Sequence, residues 1–297
     1  MKNLYDRIRL SFLIRFGKHI HDELYIRLKY KIIFGKEINL NNPQTFNEKM
    51  NWLKLNYHNP EMTIMADKLW AKEWVAKKIG EKYVVPCYGS WKRLEDINFA
   101  QLPELFFLKS NQDSGGGMMI NKKTGINIIA LKRRFGSNRI AKKNWYYTSR
   151  EWSYKHIEPC ILAEEYLDEE TGHELHDYKF WCFNGKPHYM YITNKGKNVK
   201  ENFYDMDFNP IYIDHGFERV YPEYEKPANF EKMKEIATVL SDGIPFVRVD
   251  FFNVKGKLKF GECTFYDWAA FKPFNNGWDK KLGDLLILPI DKLLVKE

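Results

Sequence analysis

The most informative part of this chain is the stretch PFVRVDFFNVKGKLKFGECTFYD, residues 245–267. Its first half is rich in Val and Phe, as strands are, and a second apolar run follows after the segment NVKG. The segment NVKGK between the two runs is typical of a hairpin turn. The pattern therefore predicts two strands, 246–253 and 257–260, joined by a turn across residues 253–257.

Charged side chains interrupt this apolar hairpin. Residues two apart in a strand share a face, so Arg248 and Asp250 point the same way, as do Glu262 and Thr264. Buried charges are costly unless they are paired or bound to a metal, and Mg²⁺ typically takes one or two carboxylates together with phosphate oxygens. We therefore predict that Asp250 and Glu262 hold Mg²⁺ beside a nucleotide. The alternative is a purely structural cross-strand ion pair between Arg248 and Glu262.

A second candidate segment lies upstream, where the strand-like run 105–109 opens into SNQDSGGG, residues 110–117. Backbone N–H groups of a Gly-rich loop approach phosphates closely, and a lysine at a strand end neutralises them. The segment is not a Walker A motif, because Lys109 precedes the glycines instead of following them. A plain turn is the alternative to a phosphate loop. The candidate phosphate contacts are Lys109, Ser114, Gly115, Gly116 and Gly117.

Two further apolar segments carry charges. PCILAEEYL, residues 159–167, reads either as an edge strand with two solvated glutamates or as a hinge between lobes beside an adenine. HDYKFWCF, residues 176–183, alternates charged and aromatic residues, so Asp177 and Lys179 share a face. Lys179 is then either a phosphate ligand that Asp177 orients or one half of a surface ion pair.

Helix and strand signals are mixed along the rest of the chain. Thr45 followed by Glu48 forms a capping box, which predicts a helix from about residue 46. Apolar residues recur at helical spacing from Asp67 to Ile79, and Gly80 ends that helix. Further helices are predicted at about 126–135 and 229–241, and further strands at 83–86, 105–109, 161–167, 178–183 and 188–193. This mixture predicts an α+β fold.

The N-terminal segment, residues 1–36, is strongly basic. It holds nine Lys or Arg residues against three acids, interleaved with apolar residues such as Leu10, Phe12 and Ile20. This composition indicates a basic amphipathic helix, for which two partners are open: an anionic membrane surface or, more commonly, the body of the protein itself. No segment reaches the roughly 18 apolar residues of a spanning helix.

Composition limits the classes of function. Hydrophobic residues make up 44% and aromatic residues 16% of the 297 residues, which excludes a disordered chain. Four separated cysteines without a CxxC pair indicate neither a zinc site nor a disulfide framework, and favour the cytoplasm. The net charge of +8 favours acidic partners. Scattered Lys and Arg residues, without a recognised binding motif, predict no nucleic-acid partner.

The order of these segments resembles the ATP-grasp superfamily: a strand lysine, a Gly-rich loop, a strand ending in Glu-Glu, a Lys-bearing strand, then Arg-x-Asp and a later Glu. Three stretches are also similar to the TupA-like ATP-grasp family of bacterial surface-polysaccharide loci. They are NPQTFNEKMNWLK at 42–54, DYKFWCFNGKP at 177–187, and FVRVDFF at 246–252 with KFGECTFY at 259–266. The resemblance covers most of the chain.

The resemblance implies an ATP-grasp fold, in which two α+β lobes clamp a nucleotide, with a basic helical extension at the N-terminus. The implied division is an extension at 1–60, a smaller lobe with the Gly-rich loop and hinge at 61–167, and a larger lobe with the metal-binding hairpin at 168–297. The implied cofactors are ATP and Mg²⁺, with Mn²⁺ as an alternative ion.

The resemblance also implies roles for individual residues. Arg248 stabilises the transferring phosphoryl group, as arginines do where charge spreads over phosphate oxygens. Many ATP-grasp ligases carry Asn at the position of Thr264, and Thr is a poorer ligand, so one fully coordinated metal is as compatible with this chain as two. The implied catalytic residues are Arg248 and Lys179. The implied nucleotide contacts are Lys68, Lys109 and Lys179 at phosphates, Ser114, Gly115, Gly116 and Gly117 in the closing loop, Glu164, Glu165, Tyr166 and Leu167 at the adenine hinge, and Glu174 or Asp177 at the ribose. The implied metal ligands are Asp250, Glu262 and Thr264.

The implied activity is an ATP- and Mg²⁺-dependent carboxylate–amine ligase that acts through an acyl phosphate. Its expected partners are a nucleotide, an acidic sugar or glycan acceptor and an amine donor, in the cytoplasm or at the inner face of the membrane. A glycan phosphotransferase needs the same lysines, arginine and metal, so the cleft alone leaves it open. A glycosyltransferase is less favoured, because its DxD-like segment at 205–207 is typical of a turn between strands. A nucleotide-dependent scaffold without catalysis is the remaining alternative.

Overall fold

The computed structural model describes residues 4–113, 116–136, 144–168, 175–194, 198–214 and 216–290. The predicted basic helix at the N-terminus is two helices, because a 3₁₀ turn at Gly17–His19 separates them. The predicted capping box is confirmed, since Thr45 accepts a hydrogen bond from the Glu48 N–H and the Glu48 carboxylate accepts one from the Thr45 N–H. The helices before the first strand are α1 (Leu4–Phe16), α2 (Asp22–Phe34), α3 (Phe46–Asn56), α4 (Pro60–Ala66) and α5 (Trp70–Ile79).

A four-stranded antiparallel sheet follows. It consists of β1 (Cys87–Trp91), β2 (Leu105–Ser110), β3 (Met118–Asn121) and β4 (Ile161–Glu164) in the order β1-β4-β2-β3. Helices α6 (Ile128–Phe135) and α7 (Trp145–Ser149) lie between β3 and β4 in the chain. Phe106, Leu108 and Leu131 are fully buried in the core that this sheet shares with α6.

A six-stranded antiparallel sheet contains the hairpin. Its strands are β5 (His176–Phe183), β6 (Lys186–Asn194), β7 (Glu201–Asp205), β8 (Pro210–Ile211), β9 (Phe246–Val254) and β10 (Lys257–Thr264), in the order β10-β9-β5-β6-β7-β8. Helix α8 (Phe230–Ser241) packs on β5, β6 and β9, and α9 (Trp278–Leu285) packs on α3. The predicted α+β class is therefore confirmed.

The predicted hairpin is confirmed by the register of β9 and β10. Val254 pairs with Lys257, so two residues form the turn, and both Lys255 and Gly256 have positive φ angles. This is the backbone that a two-residue hairpin turn demands. The DxD-like segment is also a turn, as predicted, because the Asp205 carboxylate accepts hydrogen bonds from the N–H groups of Asp207 and Asn209.

Helices α3, α4 and α5 share their core with the six-stranded sheet. Phe46, Met65 and Val75 are buried in the same cluster as Trp181 and Val249. The apolar faces of these helices therefore cover the larger sheet.

Several predicted boundaries are wrong. No strand forms at 83–86: a 3₁₀ turn occupies Glu81–Tyr83, and the strand begins only after Pro86, which has no N–H to donate. The carbonyl oxygens of Val84 and Val85 accept instead from lysine side chains. The helix predicted from about Asp67 begins at Trp70, and the Asp67 carboxylate accepts hydrogen bonds from the N–H groups of Leu69 and Trp70 in the turn before it. The strand predicted at 161–167 ends at residue 164.

Candidate functional site

Three neighbouring strands place one charged residue each in a single row. Lys179 on β5 pairs in register with Asp250 on β9, and Asp250 pairs with Glu262 on β10. A β-bulge makes this row possible, because the register of β10 shifts by one residue between Phe260 and Glu262. If Gly261 instead took a regular position opposite Asp250, Glu262 would lie opposite the buried Val249 and face the core.

Arg248 connects the carboxylates around this row. Its guanidinium donates two hydrogen bonds to Asp250, from Nε to Oδ1 at 2.7 Å and from Nη2 to Oδ2 at 2.8 Å. It also donates from Nη2 to Glu262 Oε1 at 2.9 Å and from Nη1 to Asp267 Oδ1 at 2.6 Å. The predicted Arg248–Glu262 pair therefore exists, but it is one contact in a larger network. Burial opposes the charge of Arg248, yet Asp250 and Asp267 hold its pKa well above the ordinary value.

Two lysines complete the cluster from opposite sides. Lys179 Nζ lies 2.6 Å from Asp250 Oδ2 and 3.4 Å from Asp177 Oδ2. Lys68, just before α5, reaches across to Glu262, with 3.0 Å between Nζ and Oε2. Burial alone would raise the pKa of Glu262, but Lys68 and Arg248 lower it far below its usual value. The carboxylate is therefore held ionised.

A second ion cluster lies on the four-stranded sheet. The Glu164 carboxylate is buried between Lys109 Nζ at 2.5 Å and Lys72 Nζ at 2.9 Å. Burial raises the pKa of Glu164, and the two lysines more than reverse that effect. Burial also lowers the pKa of Lys109, and the attraction of Glu164 offsets only part of this effect.

A narrow cleft between the two sheets lies beside both clusters. Lys68, Lys72, Lys109 and Glu164 form its polar walls. Its apolar walls come from the six-stranded sheet, through Phe252, Phe260 and Gly261, and from the segment before β1, through Val84 and Val85. An apolar slot with a few convergent polar groups is the usual form of a small-molecule site.

The structure places other predicted residues nearby. Thr264 lies opposite Arg248 and donates a hydrogen bond to Glu262 Oε1 at 3.3 Å. The Glu165 N–H donates to the Pro86 carbonyl, and the Tyr166 ring lies 6.4 Å from that of Phe107. Leu167 follows them in the half-buried stretch after β4.

The predicted Gly-rich loop is only partly described. Gly116 and Gly117 lead directly into β3, and the Gly116 carbonyl accepts a hydrogen bond from Arg134. The predicted contacts Ser114, Gly115 and Glu174 lie outside the described residues.

Sequence reasoning missed Lys72 and Asp267. Lys72 lies four residues after Lys68, and this spacing places both lysines on one side of the helix start. The spacing could therefore have indicated that Lys72 lies near Lys68. Asp267 had no comparable signal. Its position became visible only through the hydrogen bonds from Arg248 and from Trp181 Nε1 at 2.9 Å.

The donor set is compatible with a hard divalent cation held jointly with a ligand. Within the described ranges, no three His, Cys, Asp or Glu side chains form a ready metal site. Asp250 and Glu262 nevertheless lie side by side, and two carboxylates plus phosphate oxygens are what Mg²⁺ commonly uses.

The family model for TupA-like ATP-grasp proteins matches residues 48–287, a range that contains both ion clusters and the cleft. The chain belongs to the TupA-like ATP-grasp family. This family match establishes the ATP-grasp assignment that the sequence motifs suggested. No curated protein matches the chain.

Solved structures similar to this TupA-like chain are distant. The D-alanine–D-alanine ligase from Bacillus anthracis complexed with ATP has 16% identity and a TM-score of 0.40, covering 68% of this chain and 55% of that chain. The D-alanine–D-alanine ligase from Helicobacter pylori has 15% identity and a TM-score of 0.41, covering 75% and 62%. The L-amino acid ligase from Bacillus licheniformis has 12% identity and a TM-score of 0.39, covering 87% and 53%. The chain thus spans less than two thirds of the length of each, and likenesses this weak assign no activity.

Proposed function

We propose that this TupA-like protein is an ATP- and Mg²⁺-dependent carboxylate–amine ligase that joins an amine to a carboxylated sugar or glycan. The observation that carries the proposal is the row Lys179–Asp250–Glu262 with Arg248 across it, beside the cleft between the sheets. Family membership supports ATP-grasp chemistry. Mn²⁺ is an alternative ion, because the same oxygen ligands suit it.

Charge balance supports nucleotide binding at this row. The cleft lysines and Lys179 each have a carboxylate partner: Glu262 for Lys68, Glu164 for Lys72 and Lys109, and Asp250 for Lys179. Phosphate oxygens compete for the lysines, and a divalent cation competes for Asp250 and Glu262. Binding of ATP together with Mg²⁺ exchanges these partners and leaves no buried charge alone, which would otherwise be costly.

The residues then divide the chemistry. Asp250 and Glu262 would hold Mg²⁺, which would neutralise phosphate charge when bound. Arg248 and Lys179 stabilise charge on the transferring phosphoryl group. An acceptor carboxylate oxygen attacks the γ-phosphorus and ADP leaves, which gives an acyl phosphate. The amine then attacks the acyl carbon, inorganic phosphate leaves, and the amine loses a proton as the amide forms.

An aromatic surface beside the row supports a sugar as acceptor. Trp268 directly follows Asp267, the partner of Arg248, and it is 44% exposed. The ring of Phe217 lies 5.6 Å from the Trp268 ring, and Lys272 Nζ lies 4.5 Å from it. An exposed aromatic face packs on the C–H face of a sugar ring, and the ammonium suits a uronate carboxylate.

The proposal is tested with purified protein, MgATP, a uronate oligosaccharide and a panel of amino acids. We expect release of ADP and phosphate that requires both acceptor and amine, and a product whose mass equals acceptor plus amine minus water. The matched control is the same oligosaccharide with its carboxyl groups reduced to alcohols, which cannot form an acyl phosphate. Hydroxylamine in place of the amine should trap the intermediate as a hydroxamate.

Other outcomes discriminate among the alternatives. A stable phosphorylated glycan formed without any amine would replace the ligase by a phosphotransferase. Equal turnover with the native and the reduced oligosaccharide would show that the acceptor carboxylate takes no part in the reaction. We place the reaction in the cytoplasm, where ATP is available, and the acceptor at the inner face of the membrane.

A further inference from the structure

Helix α1 exposes a continuous apolar stripe to solvent. Leu4, Ile8, Phe12 and Phe16 follow one another at four-residue spacing, which places them on one side of the helix. Their exposed fractions are 72%, 59%, 65% and 55%, and the adjacent Tyr5 is 65% exposed. Large apolar side chains in a contiguous exposed stripe mark an interaction surface far more often than isolated ones do.

The opposite side of α1 is attached to the protein, which fixes the outward direction of the stripe. Leu13 is 6% exposed and packs with Tyr25 and Ile32 of α2. At the end of α1, the buried Arg150 guanidinium donates to the carbonyls of Gly17 at 2.7 Å and Ile20 at 2.9 Å. The helix is therefore packed on the protein through its other side, and the stripe remains exposed to solvent.

Basic residues flank the stripe. Arg7, Arg9, Arg15 and Lys18 lie on or directly after α1, and within residues 4–20 the sequence has a single acid, Asp6. The Asp6 carboxylate lies 3.7 Å from Arg9 and its side chain is 27% exposed. An apolar stripe bordered by cations complements a surface with anionic headgroups above an apolar interior. Two copies of the same helix would instead bring like charges together.

We infer that α1 docks this protein on an anionic membrane, lying in the interface with the stripe toward the acyl chains and the arginines at the phosphates. In the residues that the structure describes, no helix has the length and apolar character needed to cross a bilayer, so the contact is peripheral. The inference is independent of the ligase chemistry, because it involves no residue of the cleft.

The test is vesicle co-sedimentation of the full chain at low salt. One set of vesicles is pure phosphatidylcholine and the other carries about one-third phosphatidylglycerol. We expect binding to the anionic vesicles only. The double variant Ile8→Ser and Phe12→Ser should weaken it by about tenfold or more, through lost apolar burial.

Matched controls separate the stripe from general surface effects. Ile129→Ser removes an 82% exposed isoleucine from α6 and should leave vesicle binding unchanged. Arg7→Glu with Arg15→Glu should abolish anionic selectivity, whereas Lys280→Glu on α9 should not. Circular dichroism checks that each variant keeps its helix content.

Three results would overturn the inference. The first is equal vesicle binding by the stripe variant and the wild type, and the second is equal binding of the wild type to both kinds of vesicle. The third is a wild type that does not bind vesicles but forms a concentration-dependent dimer, seen by light scattering, which the stripe variant does not form. MgATP hydrolysis by the stripe variant, measured without vesicles, should equal that of the wild type. Failure of the ligase proposal would leave this vesicle result unaffected.

Discussion

At the scale of single residues, Arg248 is the centre of the candidate site. Three carboxylates, those of Asp250, Glu262 and Asp267, accept hydrogen bonds from its guanidinium within 2.9 Å. A planar group with five donors can bind several oxygens at fixed angles, which a lysine cannot do. The arrangement holds the carboxylates of Asp250 and Glu262 side by side, as the proposed shared metal ion requires.

Asp250→Asn and Glu262→Gln each remove one negative ligand while keeping the side-chain volume. We expect MgATP turnover to fall by about a hundredfold or more, because the metal ion that neutralises the phosphate charge loses a carboxylate ligand. Initial rates measured across a Mg²⁺ titration check this. Asp207→Asn, the same chemical change in an exposed turn, is the control and should retain full activity. Wild-type rates in the Asp250→Asn variant would remove Asp250 from the metal site.

Glu151 gives a prediction about stability and pH. Burial outweighs the attraction of Lys54 and Lys29 and raises the pKa of this carboxyl to about 7. The folded state therefore favours the protonated form, whose stabilisation is complete below the unfolded pKa and is lost as the pH rises through about 7. The shift corresponds to about 3 kcal/mol of unfolding free energy between pH 4.5 and pH 8.

Glu151→Gln should remove most of this pH dependence. Urea unfolding of both proteins between pH 5 and pH 8 should show that the unfolding free energy of the variant rises relative to that of the wild type, by up to about 3 kcal/mol, as the pH increases. Glu158→Gln, whose side chain is 83% exposed, is the matched control and should follow the wild type. Parallel curves for wild type and Glu151→Gln would contradict the raised pKa.

At the scale of the element, the bulge in β10 determines which face Glu262 occupies. Strand side chains alternate, so one extra residue moves every later side chain to the other face. Gly261 supplies that residue, and a β-carbon there would lie 3.1 Å from the Asp250 carbonyl and 3.3 Å from the Phe252 ring. Glycine lets the two strands stay close while Glu262 turns toward Asp250.

Gly261→Ala should therefore disturb the site more than the fold. The strands must move apart by a few tenths of an ångström, and we expect MgATP turnover to fall by about tenfold, since catalysis is sensitive to small misplacements. Thermal unfolding measured alongside the rates should show a drop of only a few degrees. Lys257→Ala, at an exposed position of the same strand, is the control. Unchanged kinetics in Gly261→Ala would show that the bulge tolerates a side chain without moving Glu262.

At the scale of the whole molecule, the cleft draws its walls from distant parts of the chain. Lys68 lies before α5, Lys109 and Glu164 lie on the four-stranded sheet, and Phe260 lies on the six-stranded sheet. The Lys68–Glu262 contact crosses between these parts. A ligand that binds all of them at once stabilises the folded state by mass action.

A non-hydrolysable ATP analogue with Mg²⁺ should therefore raise the unfolding temperature of the wild type. At about a hundred times its dissociation constant the gain is about 2.7 kcal/mol. Lys109→Met should lose most of this gain, because the phosphate contact on the smaller sheet is removed, and differential scanning calorimetry measures it. Lys123→Met is the control, since that lysine has a largely exposed side chain outside the cleft. An equal gain in Lys109→Met and the wild type would place the phosphates elsewhere.

The sequence by itself determined the features that depend on near neighbours. The hairpin turn at Lys255 and Gly256, the capping box at Thr45 and the shared face of Arg248 and Asp250 all follow from spacings of a few residues. Family motifs, read along the chain, also identified the ATP-grasp class.

Only the tertiary structure decided which charges meet. The partners Lys72 and Glu164, Lys68 and Glu262, and Arg248 and Asp267 lie on separate segments of the chain, and no local periodicity encodes a contact between such segments. The same limit explains the strand wrongly predicted before Pro86, where lysine side chains take the carbonyl oxygens. Local spacing fixes the direction of a side chain, whereas its partner depends on how the sheets and helices pack.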